Sequence, residues 1–180
     1  MLFRSEEYAQ VIDKAVFPGL QGGPHNHTTA AIAVALKEAN TPEFKQYSKQ
    51  VIKNAKVLSE ELIKYGFKII SGGTDNHLFL IDTISSVNLS GKQTSDILEN
   101  IGITVNKNAI PNDTRKPWDP SGIRVGTPAI TTRGMKEEDM LVIAKYINEA
   151  LNSITDQEIL KEKVRKFSSK FPIPGISKTE

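Results

Sequence analysis

The 180-residue sequence contains no cysteine, which excludes disulfide frameworks, thiol chemistry and cysteine-ligated metal sites. Strong charge is also missing. The 23 Lys and Arg residues oppose 21 Asp and Glu residues, and the net charge of +2 argues against nucleic acid or an anionic membrane as the main partner. The longest apolar run, residues 30–36, is far shorter than the roughly 20 residues that span a bilayer. We therefore expect a globular protein with its own core.

The N-terminal residues and the histidine spacing indicate the cellular compartment and the absence of a metal site. The first ten residues, MLFRSEEYAQ, lack an apolar stretch followed by a small-residue cleavage site, so we find no secretory signal and expect a cytoplasmic protein. His25 and His27 are two positions apart, which does not place both rings on one helical face. We expect no metal site.

The apolar pattern changes near Asn40. Residues 28–39 are apolar on nearly every side, which is typical of a helix packed all around. An amphipathic helix follows, with Thr41 as its cap, and Gly66 ends it. Because the first helix needs a larger body around it, we divide the chain into residues 1–40, the incomplete end of a larger domain, and a small domain that comprises the rest.

The remaining pattern predicts an α/β fold of the α+β kind. A small, mostly antiparallel sheet carries helices on one face. Its strands are predicted at residues 67–70, 78–82, 103–106 and 123–125. Capping boxes predict the starts of two helices, Ser90 with Gln93 and Thr155 with Glu158, and another helix is expected from about residue 136 to 151.

Arg124 is the first candidate site residue. It stands between Ile123 and Val125 in a predicted strand, where alternation turns the two aliphatic side chains to the core and Arg124 to the other face. A guanidinium matches a carboxylate through two parallel hydrogen bonds, so Arg124 is a plausible anchor for an acidic small molecule. The alternative is that Arg124 pairs with an internal Asp or Glu.

Two other stretches offer binding groups. Gly22 and Gly23 precede the first helix, where backbone amides can approach a phosphate, although a Gly-Gly pair can also be simple turn chemistry. Asn106 and Asn108 carry amides that can pair with a donor and an acceptor of a heterocycle, with a hydrogen-bonded turn as the alternative.

Four stretches, in this order and at these distances, closely resemble the C-terminal part of serine hydroxymethyltransferase. They are VFPGLQGGPHNH, SGGTDNHLFLID, VNKNAIPND and SGIRVGTPAITTRG, and the resemblance runs from about residue 15 to 153. It implies a pyridoxal-phosphate enzyme of the aspartate-aminotransferase fold, a homodimer or larger homo-oligomer. Such an enzyme exchanges a one-carbon unit between serine and tetrahydrofolate to form glycine.

The resemblance also implies roles for individual residues. Arg124 would bind the carboxylate of serine or glycine, and Gly22 and Gly23 would help to hold the phosphate of the cofactor. Asn108 would contact tetrahydrofolate. Residues up to about Asn40 would form the end of the large cofactor-binding domain.

One departure limits what this chain can do. The Schiff-base lysine of the family lies in a Thr-Thr-His-Lys run, and no such run occurs in this sequence. Without it the chain has no catalytic residue of its own and is expected to be inactive. Three readings stay open: part of an ordinary enzyme, half of a split enzyme that needs a separate N-terminal chain, or a noncatalytic binding or regulatory module.

Overall fold

The computed structural model describes residues 5–176. The expectations about a secretory signal therefore rest partly on residues 1–4, which lie outside the described residues. The chain forms two compact units, Met1–Phe44 and Lys45–Glu180. The assignment of residues 1–40 to a larger domain stays a prediction.

The first unit contains two helices, α1 (Glu6–Lys14) and α2 (Asn26–Ala39), with a π-helical turn at Ala15–Leu20. The helix predicted from residue 28 is thus present and begins two residues earlier. Among residues 5–44 only Ala9 is buried, and the apolar side chains of α2 are exposed. The burial that the α2 sequence favours is not provided by the described residues.

The longest helix, α3, spans Pro42–Lys64. Its start is capped as predicted, since the Phe44 N–H donates to Thr41 Oγ1 at 3.2 Å. Its buried face includes Leu58 and Leu62, which share one stripe of the helix. The helix ends before Gly66, whose φ of +90° lies in the left-handed region that favours glycine.

Four strands form one antiparallel sheet in the order β1-β2-β4-β3. The strands are β1 (Lys68–Ile69), β2 (Leu78–Asp82), β3 (Asn106–Asn108) and β4 (Gly122–Gly126). The predicted fold class is confirmed, and β1 pairs with β2 in the antiparallel sense. The bounds of the third strand were wrong: residues 103–105 precede the ladder, because pairing with β4 begins only where Asn106 faces Arg124.

Among the described residues, a 3-10 turn at Ile70–Gly72 and five α-helices complete the second unit. The helices are α4 (Thr83–Val87), α5 (Gly91–Asn100), α6 (Pro128–Thr132), α7 (Glu137–Leu151) and α8 (Gln157–Ser168). The Ser90 capping box of α5 is confirmed, with hydrogen bonds of 2.9 and 3.2 Å to and from Gln93.

The predicted Thr155 cap of α8 is wrong. Asp156 caps this helix, since its Oδ1 accepts from the N–H groups of Glu158 and Ile159 at 3.0 and 3.3 Å. Thr155 instead donates its hydroxyl to Glu149 Oε2 at 3.0 Å. The Thr155 hydroxyl is therefore engaged by the buried Glu149 carboxylate, and the adjacent Asp156 provides the cap.

The core of the second unit lies between one sheet face and the helices. Two cross-strand pairs, Phe79 with Val125 and Ile81 with Ile123, supply the sheet side. Buried side chains of α3, α5, α7 and α8 complete it. Within residues 5–176, no helix is both long and apolar enough to cross a membrane.

Candidate functional site

Arg124 lies on the sheet face away from the core. Its neighbours Ile123 and Val125 are buried, whereas Arg124 is exposed, as strand alternation predicts. In the ladder it stands directly opposite Leu80 of β2 and Asn106 of β3. Residues that face each other on one side of an antiparallel pair have side chains within contact range. The sheet therefore brings Arg124 and Asn106 together.

An open cleft of about 600 Å³ lies beside Arg124. Three separate chain segments supply polar groups to its lining. The start of α6 supplies apolar side chains. The other lining residues include His77, Thr104, Asn106, Gly126 and Pro128. A small polar molecule has room here next to a guanidinium, which is the arrangement that an acidic ligand requires.

Pairing with an internal carboxylate was the alternative for Arg124. Across residues 5–176, the ion pairs of the structure do not include Arg124. The buried acid of the neighbouring strand, Asp82, is held by Lys68 at 2.9 Å. The guanidinium therefore faces the cleft without a described acid to neutralise it.

Buried polar contacts fix the chain that follows β4. Thr127 donates its hydroxyl to the Val51 carbonyl at 2.8 Å. The Asn54 amide donates to Thr131 Oγ1 and to the Met135 carbonyl, each at 2.9 Å. Breaking such buried bonds leaves unsatisfied groups and is costly. These contacts tie the end of β4 to α3, and they hold the strand that carries Arg124 in place.

Asn108 occupies the last position of β3, opposite Gly122. Its amide nitrogen donates to the Ala109 carbonyl at 2.7 Å, and its amide oxygen lies 3.5 Å from the Asn106 Nδ2 donor. The carboxamide is thus oriented by local hydrogen bonds. Asn106 and Asn108 are two positions apart in a strand, so both share the sheet face of Arg124.

Asp113 is a residue that the motif reading missed. It lies in the loop between β3 and β4, and it accepts hydrogen bonds from Ile110, Arg115 and Ser121. Burial alone would raise the pKa of the Asp113 carboxyl, but these hydrogen bonds lower it to about 2. The Pro-Asn-Asp sequence was the available signal, since an aspartate in a turn often bonds nearby backbone amides.

Arg133, at the end of α6, is held by the chain around the end of α8. Its Nε donates to the Phe171 carbonyl and its Nη2 to the Ser168 carbonyl, each at 2.7 Å. Both acceptors lie at or beyond the C-terminal end of α8, where a cation is favoured. Arg133 therefore secures α8 and does not belong to the ligand-facing groups.

Gly22 and Gly23 lie in the first unit, just before α2. Neither has a positive φ, and no atom beyond the adjacent residues lies within 4 Å of the place where a Cβ would stand. The fold of the described residues therefore does not require glycine at these positions. Bare backbone ahead of a helix N-terminus fits the close approach of a phosphate.

Comparison with known proteins adds to this geometry. The family model described as serine hydroxymethyltransferase matches residues 4–147. A serine hydroxymethyltransferase of Acidothermus cellulolyticus is 51% identical over 99% of this chain and 44% of the relative. One of Desulfotalea psychrophila is 50% identical over 98% of this chain and 42% of the relative. This chain spans less than half the length of these curated relatives.

Proposed function

Because this chain belongs to the serine hydroxymethyltransferase family and corresponds to its C-terminal portion, we propose that it contributes to the interconversion of serine and glycine. The one-carbon unit would pass to tetrahydrofolate, with pyridoxal phosphate as the cofactor. The observation that carries the proposal is the exposed Arg124 in its cleft, without a described acidic partner.

Arg124 would hold the substrate carboxylate. Serine and glycine share that group, and the planar guanidinium can bind both of its oxygens at once. Asn106, directly opposite Arg124 in the ladder, borders the same cleft. A substrate anchored here would have its carboxylate fixed on the sheet while its amino and hydroxyl groups point away from this chain's core.

Asn108 would bind the pterin ring of tetrahydrofolate, because a carboxamide offers a donor and an acceptor to a heterocycle. Gly22 and Gly23 would help to hold the cofactor phosphate through backbone amides. Pyridoxal phosphate, when bound, supplies the electron sink for bond changes at the amino acid. This sequence lacks the Thr-Thr-His-Lys run, so we assign no catalytic residue to it.

The chain therefore acts, in our proposal, together with the N-terminal portion of the family. That portion either belongs to the same protein or comes from a separate chain, and the assembled enzyme is a cytoplasmic homo-oligomer. The coding region immediately upstream distinguishes these sources. A contiguous Thr-Thr-His-Lys run indicates a single chain, a stop codon between the two indicates a split enzyme, and no trace of the run favours the noncatalytic module.

A chimaera tests the proposal. The part of the Acidothermus cellulolyticus relative that this chain does not match is placed ahead of this chain, and serine cleavage with tetrahydrofolate is measured. The chimaera should be active and this chain alone inactive. A folded chimaera without activity would contradict the enzymatic proposal.

In the chimaera, Arg124→Ala should weaken serine binding by roughly ten- to a hundredfold, since a charge-assisted contact is worth about 1.5–3 kcal/mol. Arg124→Lys should restore little, because an ammonium lacks the planar fork. Arg165→Ala is the matched control, since Arg165 is an exposed arginine on α8 that only pairs with Glu162. Serine titration and melting curves are measured for each variant. Unchanged serine affinity in a destabilised Arg124→Ala protein would show a structural role instead.

A further inference from the structure

The loop between β3 and β4 closes at one cross-strand pair. Asn108 is the last residue of β3 and Gly122 the first of β4, and these two residues face each other. The intervening residues 109–121 contain no strand or helix. A loop of this length leaves its closing pair weakly defined unless some contact joins its two ends.

Asp113 makes that contact. Its Oδ2 accepts from the Ile110 N–H at 3.3 Å and from the Ser121 N–H at 2.9 Å. Its Oδ1 accepts from the Arg115 N–H at 2.9 Å and from the Ser121 hydroxyl at 2.7 Å. Ile110 is two residues after Asn108, and Ser121 immediately precedes Gly122. One carboxylate therefore joins the chain leaving β3 to the chain entering β4.

We propose that Asp113 is a positioning residue for folate recognition, which holds the β3 end so that the Asn108 carboxamide meets the pterin ring. This inference rests on the proposed function. It goes beyond that function because Asp113 itself touches no ligand and acts through Asn108.

The chemistry of the contact requires a carboxylate. Four donors converge on two oxygens, and an ionised carboxylate accepts at both. The lowered pKa of Asp113, about 2, agrees with a group that stays ionised at neutral pH. An asparagine of the same shape would turn an N–H₂ group toward donors, and at least one end of the loop would lose its bond.

The first test follows amide hydrogen exchange in the full chain by NMR. In Asp113→Asn, the amides of β3 and of Ser121 should exchange about tenfold faster or more, while core amides of α7 keep their protection. Asp119→Asn is the matched control, because Asp119 lies in the same loop but pairs with Arg115 and not with the strand ends. Ser121→Ala should act in the same direction and more weakly, since it removes one donor.

The second test measures binding of 5-formyltetrahydrofolate and of glycine to the active chimaera. Asp113→Asn should weaken folate binding about tenfold and leave glycine affinity unchanged, because Arg124 lies further along β4. In a protein that already carries Asn108→Ala, Asp113→Asn should weaken folate binding little further, because both substitutions remove the same interaction. A purely structural role would lower both affinities and the melting temperature together.

Three outcomes would overturn the inference: unchanged exchange at β3, equal loss of both ligands, or independent addition of the Asp113 and Asn108 effects. A wild-type chimaera that binds no folate would defeat the proposed function. The exchange measurement on the chain alone would then still decide whether Asp113 orders β3.

Discussion

Residues 5–44 bury one side chain, that of Ala9, whereas the unit that begins at Lys45 encloses a continuous apolar core. Composition does not explain the contrast, since α2 is at least as apolar as α7. In α7 the apolar residues lie along a face that meets the sheet and neighbouring helices. In α2 they surround the helix and, apart from the half-buried Ala39, are exposed.

An apolar helix can therefore be buried within its own unit or leave its apolar side chains exposed. The second unit uses its apolar residues for its own stability, and we expect it to fold independently. The first unit presents apolar residues that are exposed among the described residues, and its assignment to the end of a larger domain stays a prediction. Three measurements test this contrast.

Truncation of buried side chains should separate the two units most strongly. Leu58→Ala, at a position with 1% exposure, should lower the free energy of unfolding by about 2–5 kcal/mol, because it leaves a cavity in the core. Ile32→Ala, at 54% exposure, should change it by no more than about 0.5 kcal/mol. Urea unfolding measures both. Similar losses for the two variants would show that α2 already belongs to the folded core.

The exposed face of α2 should promote self-association of the chain, because contiguous apolar surface is an interaction site. Light scattering should show larger species as concentration rises, and a hydrophobic dye should bind. Ile32→Glu together with Val34→Lys should reduce both signals, whereas the same exchange at polar positions, Lys37→Glu with Glu38→Lys, should not. A wild-type chain that stays monomeric at high concentration without binding dye would contradict this prediction.

Lowering the pH should produce the smallest of the three effects, a loss of stability in the second unit. The folded-state pKa of Asp113 is about 2, below the usual value near 3.9 of an unfolded chain. Its stabilising contribution is therefore complete above about pH 4 and is lost as pH falls toward 2. Urea midpoints measured between pH 6 and 2.5 should fall, and less steeply in Asp113→Asn. Identical pH dependence in both proteins would remove Asp113 from the explanation.

Local sequence rules predicted much of this fold. The Ser90 capping box, the end of α3 at Gly66 and the outward direction of Arg124 each depend on a few adjacent residues. The bounds of β3 were missed because they are set by pairing with β4, which is distant in the sequence. The α8 cap was missed because Thr155 bonds Glu149, a tertiary contact that the capping pattern does not contain.

The candidate site divides in the same way. Strand alternation selected Arg124 as a candidate, and residue chemistry selected Asn108 and the glycine pair. The resemblance to a known family supplied the roles proposed for them. The role of Asp113 is visible only in the folded loop. One of its hydrogen-bond partners is Ser121, and no short sequence pattern joins these two residues. The cleft around Arg124 likewise depends on His77 and Thr104, which only the folded chain brings close.

The strand order has a consequence for how the site comes into being. The central pair of the sheet, β2 with β4, joins segments separated by two helices, β3 and the Asp113 loop. Bringing such distant segments together lowers the chain entropy before any stabilising contact forms. These contacts therefore form slowly compared with local helices. Arg124 faces Leu80, and the cleft beside it gains His77 and Leu78, only after that pairing is complete. A partly folded intermediate with its helices already formed would therefore be unable to recognise a substrate, and ligand recognition would report the last stage of folding.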